Sequence, residues 1–171
     1  VFDENGHCNY CEAALNQIGT TVYFPGEEGK EKLEKLLHEV KEHGKGHKYD
    51  AIMGISGGLD SSYLAYLGYK WGLRILLLHV DDSFDTEISK ANLKKLVEAT
   101  GFDYQVIKPD EEQYCDLTRA FMRAGVPNIA IPQDNILFAE IYRNMREHNI
   151  KYFLSGGNFA LECVLQRGNT Y

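Results

Sequence analysis

Residues 49–62 read YDAIMGISGGLDSS, a short apolar run followed by a loop rich in glycine and serine. The apolar residues up to Ile55 predict a buried β-strand, and apolar side chains at helical spacing predict a helix over 61–71. The two glycines between these elements allow a sharp turn and bring bare backbone N–H groups close to a ligand. The stretch therefore predicts a strand, a tight turn and a helix that begins at the turn.

The same alternation of strand and helix continues on both sides of this stretch. An amphipathic helix is predicted from 29 to 44. Later strands are predicted at 74–80, 104–108 and 151–154, and later helices at 86–100, 111–123 and 135–148. Apolar strands separated by helices are typical of a parallel sheet covered by helices. We therefore predict an α/β fold with four strands.

The composition of the chain argues against some classes of protein. The 171 residues include 25 Asp and Glu against 18 Lys and Arg, a net charge of −7, and 44% of them are apolar. A chain of this size can bury one core. No apolar run reaches the roughly 18 residues of a membrane helix, so we expect a cytoplasmic protein without a membrane partner. The acidic balance argues against a large nucleic-acid interface.

The loop at 56–62 has the chemistry of a phosphate site. Ligands of open parallel sheets bind beyond the carboxyl ends of the strands, where this loop is expected. The hydroxyls of Ser61 and Ser62 and the amino-terminal end of the helix both favour an anion. The loop lacks the Lys of a GxxxxGK[ST] loop and is not a GxGxxG fingerprint. A strand-to-helix turn with no ligand is the alternative interpretation.

The letters SGGLDSS at 56–62 resemble the SGGxDS pyrophosphate loop of the ATP pyrophosphatase, or PP-loop, superfamily. The resemblance implies a Rossmann-like, adenine nucleotide alpha hydrolase-like three-layer fold, with ATP and Mg²⁺ as cofactors. It implies that ATP is split between its α and β phosphates, that Asp60 helps to place Mg²⁺, and that Asp60 and Ser61 are catalytic. It also implies that Ser56, Gly58, Ser61 and Ser62 hold the pyrophosphate. Gly57 and Asp60 complete the residues of this loop that are expected to bind the cofactor.

Longer segments resemble one family within this superfamily. The segments VFDENGHCNYC, HVDDSFDTEIS, RAFMRAGVPNIAIPQD and KYFLSGGNFALE are similar to those of N-acetyl sugar amidotransferases, which act in bacterial surface-polysaccharide (LPS) and flagellin-glycan biosynthesis. The resemblance implies that ATP adenylates the acetamido oxygen of a UDP-linked sugar and that ammonia replaces it, giving an acetamidino sugar, AMP and pyrophosphate. It also implies two partners, the nucleotide-linked amino sugar and a separate glutaminase subunit that supplies ammonia.

Two other strand ends are expected beside the loop. Val80 and Asp82 follow one strand, where main-chain groups of the superfamily contact the nucleotide; a solvated acidic loop is an equally good interpretation. Gly156 and Asn158 follow the last strand and are expected to bind the nucleotide as well. The candidate substrate contacts are Asn158, Glu162 and Asp134.

Residues 1–25 contain a Cys8-x-x-Cys11 pair and are interpreted as an irregular, knuckle-like segment. Without an export signal, this spacing favours a metal over a disulfide. The resemblance implies that Cys8 and Cys11 are half of a four-cysteine zinc site whose first pair lies upstream, so Zn²⁺ would be a cofactor only with that pair. His7 is expected to face solvent.

Two other functions remain open. A tRNA-thiolating PP-loop enzyme needs a sulfur-carrying cysteine and a basic face, whereas Cys115 and Cys163 stand 48 residues apart and are interpreted as buried, inert thiols. A nucleotide-binding sensor without chemistry would not need Asp60, Ser61 and Ser62. The superfamily usually has five parallel strands, so the PP-loop domain at 26–171 is expected to be truncated at its carboxyl end.

Overall fold

The structure is a computed structural model that describes residues 2–157. These residues form two compact units, residues 2–39 and Val40–Gly156. Each unit is described by itself. The sheet, and with it the loop at 56–62, belongs to the second unit.

The first unit contains a helix that is not predicted from its sequence. Helix α1 spans Asn9–Gln17, and helix α2 spans Glu27–Gly44, the end of which belongs to the second unit. The prediction that residues 1–25 are irregular is therefore wrong for the nine residues of α1. No residue of α1 is buried, so this helix lacks the packed apolar face from which most helices gain their stability.

A four-stranded parallel sheet forms the second unit. Its strands are β1 Ala51–Gly54, β2 Ile75–Val80, β3 Asp103–Ile107 and β4 Tyr152–Leu154, in the spatial order β3-β2-β1-β4. The connecting helices are α3 Leu59–Lys70, α4 Glu87–Thr100, α5 Glu111–Arg123 and α6 Ile131–Glu147. The predicted α/β fold class is confirmed, and each predicted strand lies within two residues of an observed one.

The core lies along the two central strands. All six residues of β2 are buried, as are the first three of β1. Ile52 of β1 and Leu78 of β2 pack in one cluster with Ile141 of α6. This burial explains why β2 reads as an almost unbroken apolar run, since a strand covered on both faces has no alternating polar side.

The order of the strands reverses at β1. Successive strands β2 and β3 lie on one side of β1, whereas β4 pairs with its other edge. Ala51 stands opposite both Ile75 and Tyr152 in the parallel register, so the carboxyl ends of the three strands share one edge. Such a reversal opens a crevice at that edge, where ligands bind in α/β sheets. The loop at 56–62 follows β1 and therefore lies at this reversal.

Three helices begin earlier than predicted, and α2 does so by two residues. Helix α3 begins at Leu59, so Asp60, Ser61 and Ser62 belong to its first turn. Helix α6 begins at Ile131 and includes Pro132, which suits a first turn because the N–H that proline lacks has no intrahelical partner there. Within residues 2–157, no helix is long and apolar enough to cross a membrane.

An ion pair joins Asp50, directly before β1, to Arg74, directly before β2. Arg74 Nη2 lies 2.6 Å from Asp50 Oδ1, and Arg74 Nε lies 3.1 Å from Asp50 Oδ2. The same guanidinium donates to the carbonyl groups of His47 and Gly44 at the end of α2, at 2.6 and 2.7 Å. The Asp50 side chain is only 4% exposed. This buried carboxylate is therefore paired with the guanidinium of Arg74. The hydrogen bonds to Asp50 raise the pKa of Arg74.

We expect Arg74→Ala to lower the free energy of unfolding by about 2 to 3 kcal/mol, because it leaves the Asp50 carboxylate buried and unpaired. The value is below that of a fully buried pair since the Arg74 side chain is 49% exposed. Urea unfolding followed by circular dichroism measures it. Arg119→Ala is the matched control, because Arg119 pairs with Asp116 on the surface of α5. Equal losses in both variants would contradict the structural role of Arg74.

Candidate functional site

The turn after β1 requires glycine at position 57. Gly57 has a φ of 76°, a conformation that L residues with a side chain rarely adopt. A Cβ atom at Gly57 would lie 2.6 Å from the carbonyl oxygen of Ser89, in the first turn of α4. The backbone of the loop is thus in direct contact with α4, and any side chain at this position would push the two apart.

Hydroxyl and N–H groups of the loop converge beside the start of α3. Ser56 Oγ and Ser61 Oγ lie 3.3 Å apart. The Gly58 N–H donates to Ser56 Oγ at 3.3 Å, and the Ser56 N–H donates to Ser61 Oγ at 3.5 Å. These bonds are longer than the usual 2.7–3.2 Å, so the donors can be transferred to a better acceptor at little cost. The cluster is suited to the oxygens of a phosphate group.

The first turn of α3 adds to this preference for an anion. Gly58 is the N-cap residue and has no side chain to accept from the N–H groups of that turn. The positive end of the helix therefore faces the cluster of serines. Asp60, in the same turn, is exposed and available to a cation. Ser56, Gly57, Gly58, Ser61 and Ser62 are brought together as the sequence predicts.

The end of β4 meets the same turn. A Cβ atom at Gly156 would lie 3.1 Å from both the N and the Cα atoms of Ser61. The absence of a side chain at Gly156 thus allows the strand end to approach the start of α3 closely. The predicted contacts Asn158 and Glu162, and also Cys163, lie outside the described residues.

The end of β2 is not the solvated acidic loop that was one interpretation of its sequence. Asp82 is buried, and its Oδ2 accepts from Tyr114 Oη at 3.1 Å and from Gln133 Nε2 at 2.9 Å. Its Oδ1 accepts from the Phe84 N–H at 3.0 Å. Asp82 is therefore neither a solvated acid nor a free carboxylate, but a link from β2 to α5 and α6. Burial and the bond to Asp82 raise the pKa of Tyr114 to about 12. Contact of the nucleotide with the main chain of Val80 and Asp82 stays a prediction.

Asp81 has a separate environment. It lies 3.4 Å from the Lys108 ammonium and accepts from the Ser83 N–H. Burial by itself would raise the pKa of Asp81, but these two partners outweigh burial, so the pKa lies below its ordinary value. Asp81 is thus ionised across the neutral range and contributes negative charge at the end of β2.

A cleft of about 410 Å³ lies between the loop and α4, and it exposes a cation that the sequence analysis missed. The lining residues are Gly57, Gly58, Leu59, Ser62, Asn92, Lys95 and Leu96. Lys95 has no ion-pair partner among the described residues, whereas Lys90 and Lys94 pair with Glu87 and Glu98 on α4. The sequence does not signal this, because Glu98 stands three residues after Lys95, at a spacing that also allows an ion pair on a helix.

Asp134, the remaining candidate contact among the described residues, is exposed in the first turn of α6.

Cys115 is half-buried, so the interpretation of this thiol as buried is wrong. The same side of α5 carries the buried Tyr114 and the half-buried Thr118 and Phe121, so this face of the helix is partly covered.

The CxxC pair of the first unit has the spacing of two ligands to one metal. Cys8 Sγ and Cys11 Sγ lie 3.6 Å apart, close to the roughly 3.8 Å expected of two thiolates on one tetrahedral zinc ion. Within residues 2–157, however, no group of three or more His, Cys, Asp or Glu residues could hold a metal. His7 is exposed, as expected, with its Nδ1 3.6 Å from Asp3. The described residues thus fit half of a zinc site and do not complete it.

Gly57→Ala tests the close contact of the loop with α4. We expect it to lower the free energy of unfolding by about 2 kcal/mol or more, since it adds a backbone collision to the strain of a positive φ. The control is Gly101→Ala, because Gly101 has a φ of 68° and open space where a Cβ would stand. Thermal unfolding compares the two variants. Equal destabilisation would mean that Ser89 does not restrict the loop.

Cys8 is expected to ionise at a lower pH than an ordinary thiol. The backbone N–H groups of Cys11 and Tyr10, followed by the Cys11 thiol, lower the pKa of Cys8. Because the thiolate is the reactive form, alkylation of Cys8 by iodoacetamide should accelerate with pH through an inflection below that of an unstructured cysteine peptide. Mass spectrometry of the labelled peptide gives the rate at each pH. An inflection at or above that of the peptide would contradict this geometry.

No protein-family model and no curated protein matches the chain. Solved structures do resemble it. The NMN synthetase from Francisella tularensis is 18% identical with a TM-score of 0.52, over 72% of this chain and 52% of that one. The NH3-dependent NAD synthetase from Campylobacter jejuni, in complex with the nitrate ion, is 18% identical with a TM-score of 0.54, over 74% and 56%. The U34-tRNA thiolase from Methanococcus maripaludis is 16% identical over 74% and 46%, with a TM-score of 0.49 that is too low to support an argument.

The chain therefore spans about half the length of the solved structures it matches. At 18% identity, the likeness concerns the fold. The described residues accordingly have the adenine nucleotide alpha hydrolase-like fold that the sequence predicts.

Proposed function

We propose that this chain binds ATP with Mg²⁺ and splits it between the α and β phosphates, transferring AMP to an oxygen atom of a substrate. The observation that carries the proposal is the convergence of the Ser56 and Ser61 hydroxyls with the Ser56 and Gly58 N–H groups at the start of α3. These donors surround one small volume at the strand-order reversal, where the fold class binds its ligands.

The cleavage position follows from where charge develops. When the bond between the α and β phosphates breaks, negative charge accumulates on the pyrophosphate that leaves. Donors already aimed at that charge stabilise the transition state without reorganisation. The loop lacks the lysine with which GxxxxGK[ST] loops assist transfer of the γ-phosphate. Pyrophosphate as the leaving group is therefore favoured over transfer of the γ-phosphate.

Two charged side chains support the proposal. The Asp60 carboxylate fits a magnesium ion, because Mg²⁺ is commonly held by one or two carboxylates together with phosphate oxygens and water. Bound Mg²⁺ would neutralise part of the phosphate charge. Lys95 supplies an unpaired positive charge in the cleft beside the loop. Asp60 would hold the ion and Lys95 would attract the phosphate chain.

The substrate that we propose is an N-acetylated, UDP-linked sugar. An amide oxygen is a poor leaving group, and adenylation makes it part of AMP. Ammonia can then attack the imidate carbon, so that the carbon–oxygen bond breaks and the oxygen leaves with AMP, giving an acetamidino sugar. The resemblance of the sequence to N-acetyl sugar amidotransferases supports this substrate class. The candidate contacts to the sugar are Asp134, Asn158 and Glu162, and a separate glutaminase subunit is the proposed source of ammonia.

One assay tests the proposal against its alternatives. The full-length protein is incubated with ATP, Mg²⁺, ammonium and a panel of UDP-linked diacetamido sugars. The expected result is AMP together with a sugar that has exchanged one oxygen for an NH group, detected by mass spectrometry. Product only with tRNA and a sulfur donor would replace the proposal with tRNA thiolation. Binding of ATP without AMP under any of these conditions would indicate a nucleotide sensor.

Asp60→Ala is expected to reduce AMP formation by about 10²-fold or more, because the magnesium ion loses its carboxylate ligand. Its thermal midpoint should stay within a few degrees of the parent protein, since Asp60 is exposed. Glu87→Ala is the matched control, as Glu87 is the acidic residue in the first turn of the neighbouring helix α4. AMP formation by Asp60→Ala at the rate of the control would remove Asp60 from the mechanism.

A further inference from the structure

Two carbonyl groups of the loop region are bound by side chains outside the loop. The Ile55 carbonyl, directly before the loop, accepts a hydrogen bond from His79 Nδ1 at 2.9 Å. A carbonyl oxygen can only accept, so Nδ1 carries the hydrogen. The Gly57 carbonyl accepts a longer bond, of 3.4 Å, from Asn92 Nδ2 on α4. Each of the two carbonyl groups is thereby held in a fixed direction.

The direction of these carbonyl groups fixes the N–H groups that follow them. A trans peptide is planar, and its C=O and N–H point in opposite directions; the described residues contain no cis peptide. Holding the Ile55 and Gly57 carbonyls therefore directs the N–H groups of Ser56 and Gly58 to the other side. On that side they meet the serine hydroxyls, at 3.5 and 3.3 Å.

The imidazole of His79 is itself held. Its Nε2 lies 2.7 Å from Asp85 Oδ2, and the two side chains are only 7% and 13% exposed. Asp85 directly precedes Thr86, the N-cap residue of α4, whose hydroxyl accepts from the Ser89 N–H. The ring thus connects the base of the loop to the same turn of α4 that contacts Gly57.

We propose that His79, held by Asp85, and Asn92 are positioning residues that aim the Ser56 and Gly58 N–H groups at a phosphate group of the ligand. The pyrophosphate part of ATP as this ligand rests on the proposed function. The orientation of the N–H groups is a property of the protein without ligand. The His79 and Asn92 side chains bind carbonyl groups that point away from these N–H groups, and Asp85 acts through His79.

Two substitutions at His79 separate its two bonds. The amide nitrogen of asparagine can occupy the place of Nδ1, so His79→Asn keeps the donor to Ile55 and loses Asp85. The amide of glutamine reaches the place of Nε2, so His79→Gln keeps Asp85 and leaves the Ile55 carbonyl unbound. We expect the dissociation constant of inorganic pyrophosphate, measured by calorimetry with Mg²⁺, to rise by about tenfold in His79→Gln and by less than about threefold in His79→Asn.

If the substitutions at the buried His79 prevent folding, Asn92→Ala still tests the proposal, because Asn92 is exposed on α4. We expect a rise of about threefold in the pyrophosphate dissociation constant, with the thermal midpoint unchanged within about 2 °C. The matched control is Lys94→Ala on the same helix, since among residues 2–157 the one ion pair of Lys94 is with Glu98, at 3.9 Å. Its affinity should equal that of the parent protein.

The second readout needs no ligand. Order parameters from ¹⁵N relaxation report how firmly each N–H vector is held, with about 0.85 typical of rigid backbone. We expect the Ser56 and Gly58 values to fall in His79→Gln and Asn92→Ala and to be kept in His79→Asn. Unchanged order parameters and pyrophosphate affinities in all variants would overturn the inference. If the parent protein does not bind pyrophosphate while the order parameters change as expected, the proposed ligand fails and the positioning role stands.

Discussion

Every feature of the candidate site depends on the central position of β1 in the parallel sheet. β1 lies between β2 and β4, and its register brings the carboxyl ends of all three strands to one edge. The loop that leaves β1 must turn between the neighbouring strand ends and α4, where there is no room for side chains at Gly57 and Gly156. The glycines are therefore required by packing, and the exposure of backbone N–H groups to a ligand is a consequence of that packing.

The site that results attracts an anion mainly through neutral groups. Its closest donors are serine hydroxyls and backbone N–H groups, together with the positive end of α3. Such donors are held in place by covalent geometry and hydrogen bonds, so they do not lose much conformational entropy when a phosphate binds. Lys95 adds an exposed positive charge at the margin. This division fits the proposed reaction, in which pyrophosphate has to leave, because a dense cluster of cations would hold that product.

The sequence predicts the parts of the structure that depend on local pattern. The apolar runs at β1 and β2, the stripe of α2 and the glycines at 57 and 58 are all recognisable without the fold. Helix α1 has only nine residues and is not predicted, and α6 begins four residues before the predicted start because Pro132 is accommodated in its first turn. The local sequence pattern says little about α1 or about the start of α6, since each depends on how the helix end is solvated or packed.

The sequence alone does not predict contacts between segments that lie far apart along the chain. His79 reads as one polar residue inside an apolar strand, and its role depends on Ile55, which is 24 residues away. Asp82 reads as a loop acid, yet it is buried because Tyr114 and Gln133 reach it from later helices. Buried polar groups need partners, and only the fold shows where those partners lie.

The central claim is that the loop after β1 holds the pyrophosphate part of ATP. A crystal structure of the protein with Mg²⁺ and the α,β-methylene analogue of ATP tests it most directly. We expect β- or γ-phosphate oxygens within hydrogen-bond distance of the Ser56 and Gly58 N–H groups, with Mg²⁺ near Asp60. Phosphates bound elsewhere, for example in the separate cleft lined by Tyr104 and Lys94, with the loop left empty, would contradict it.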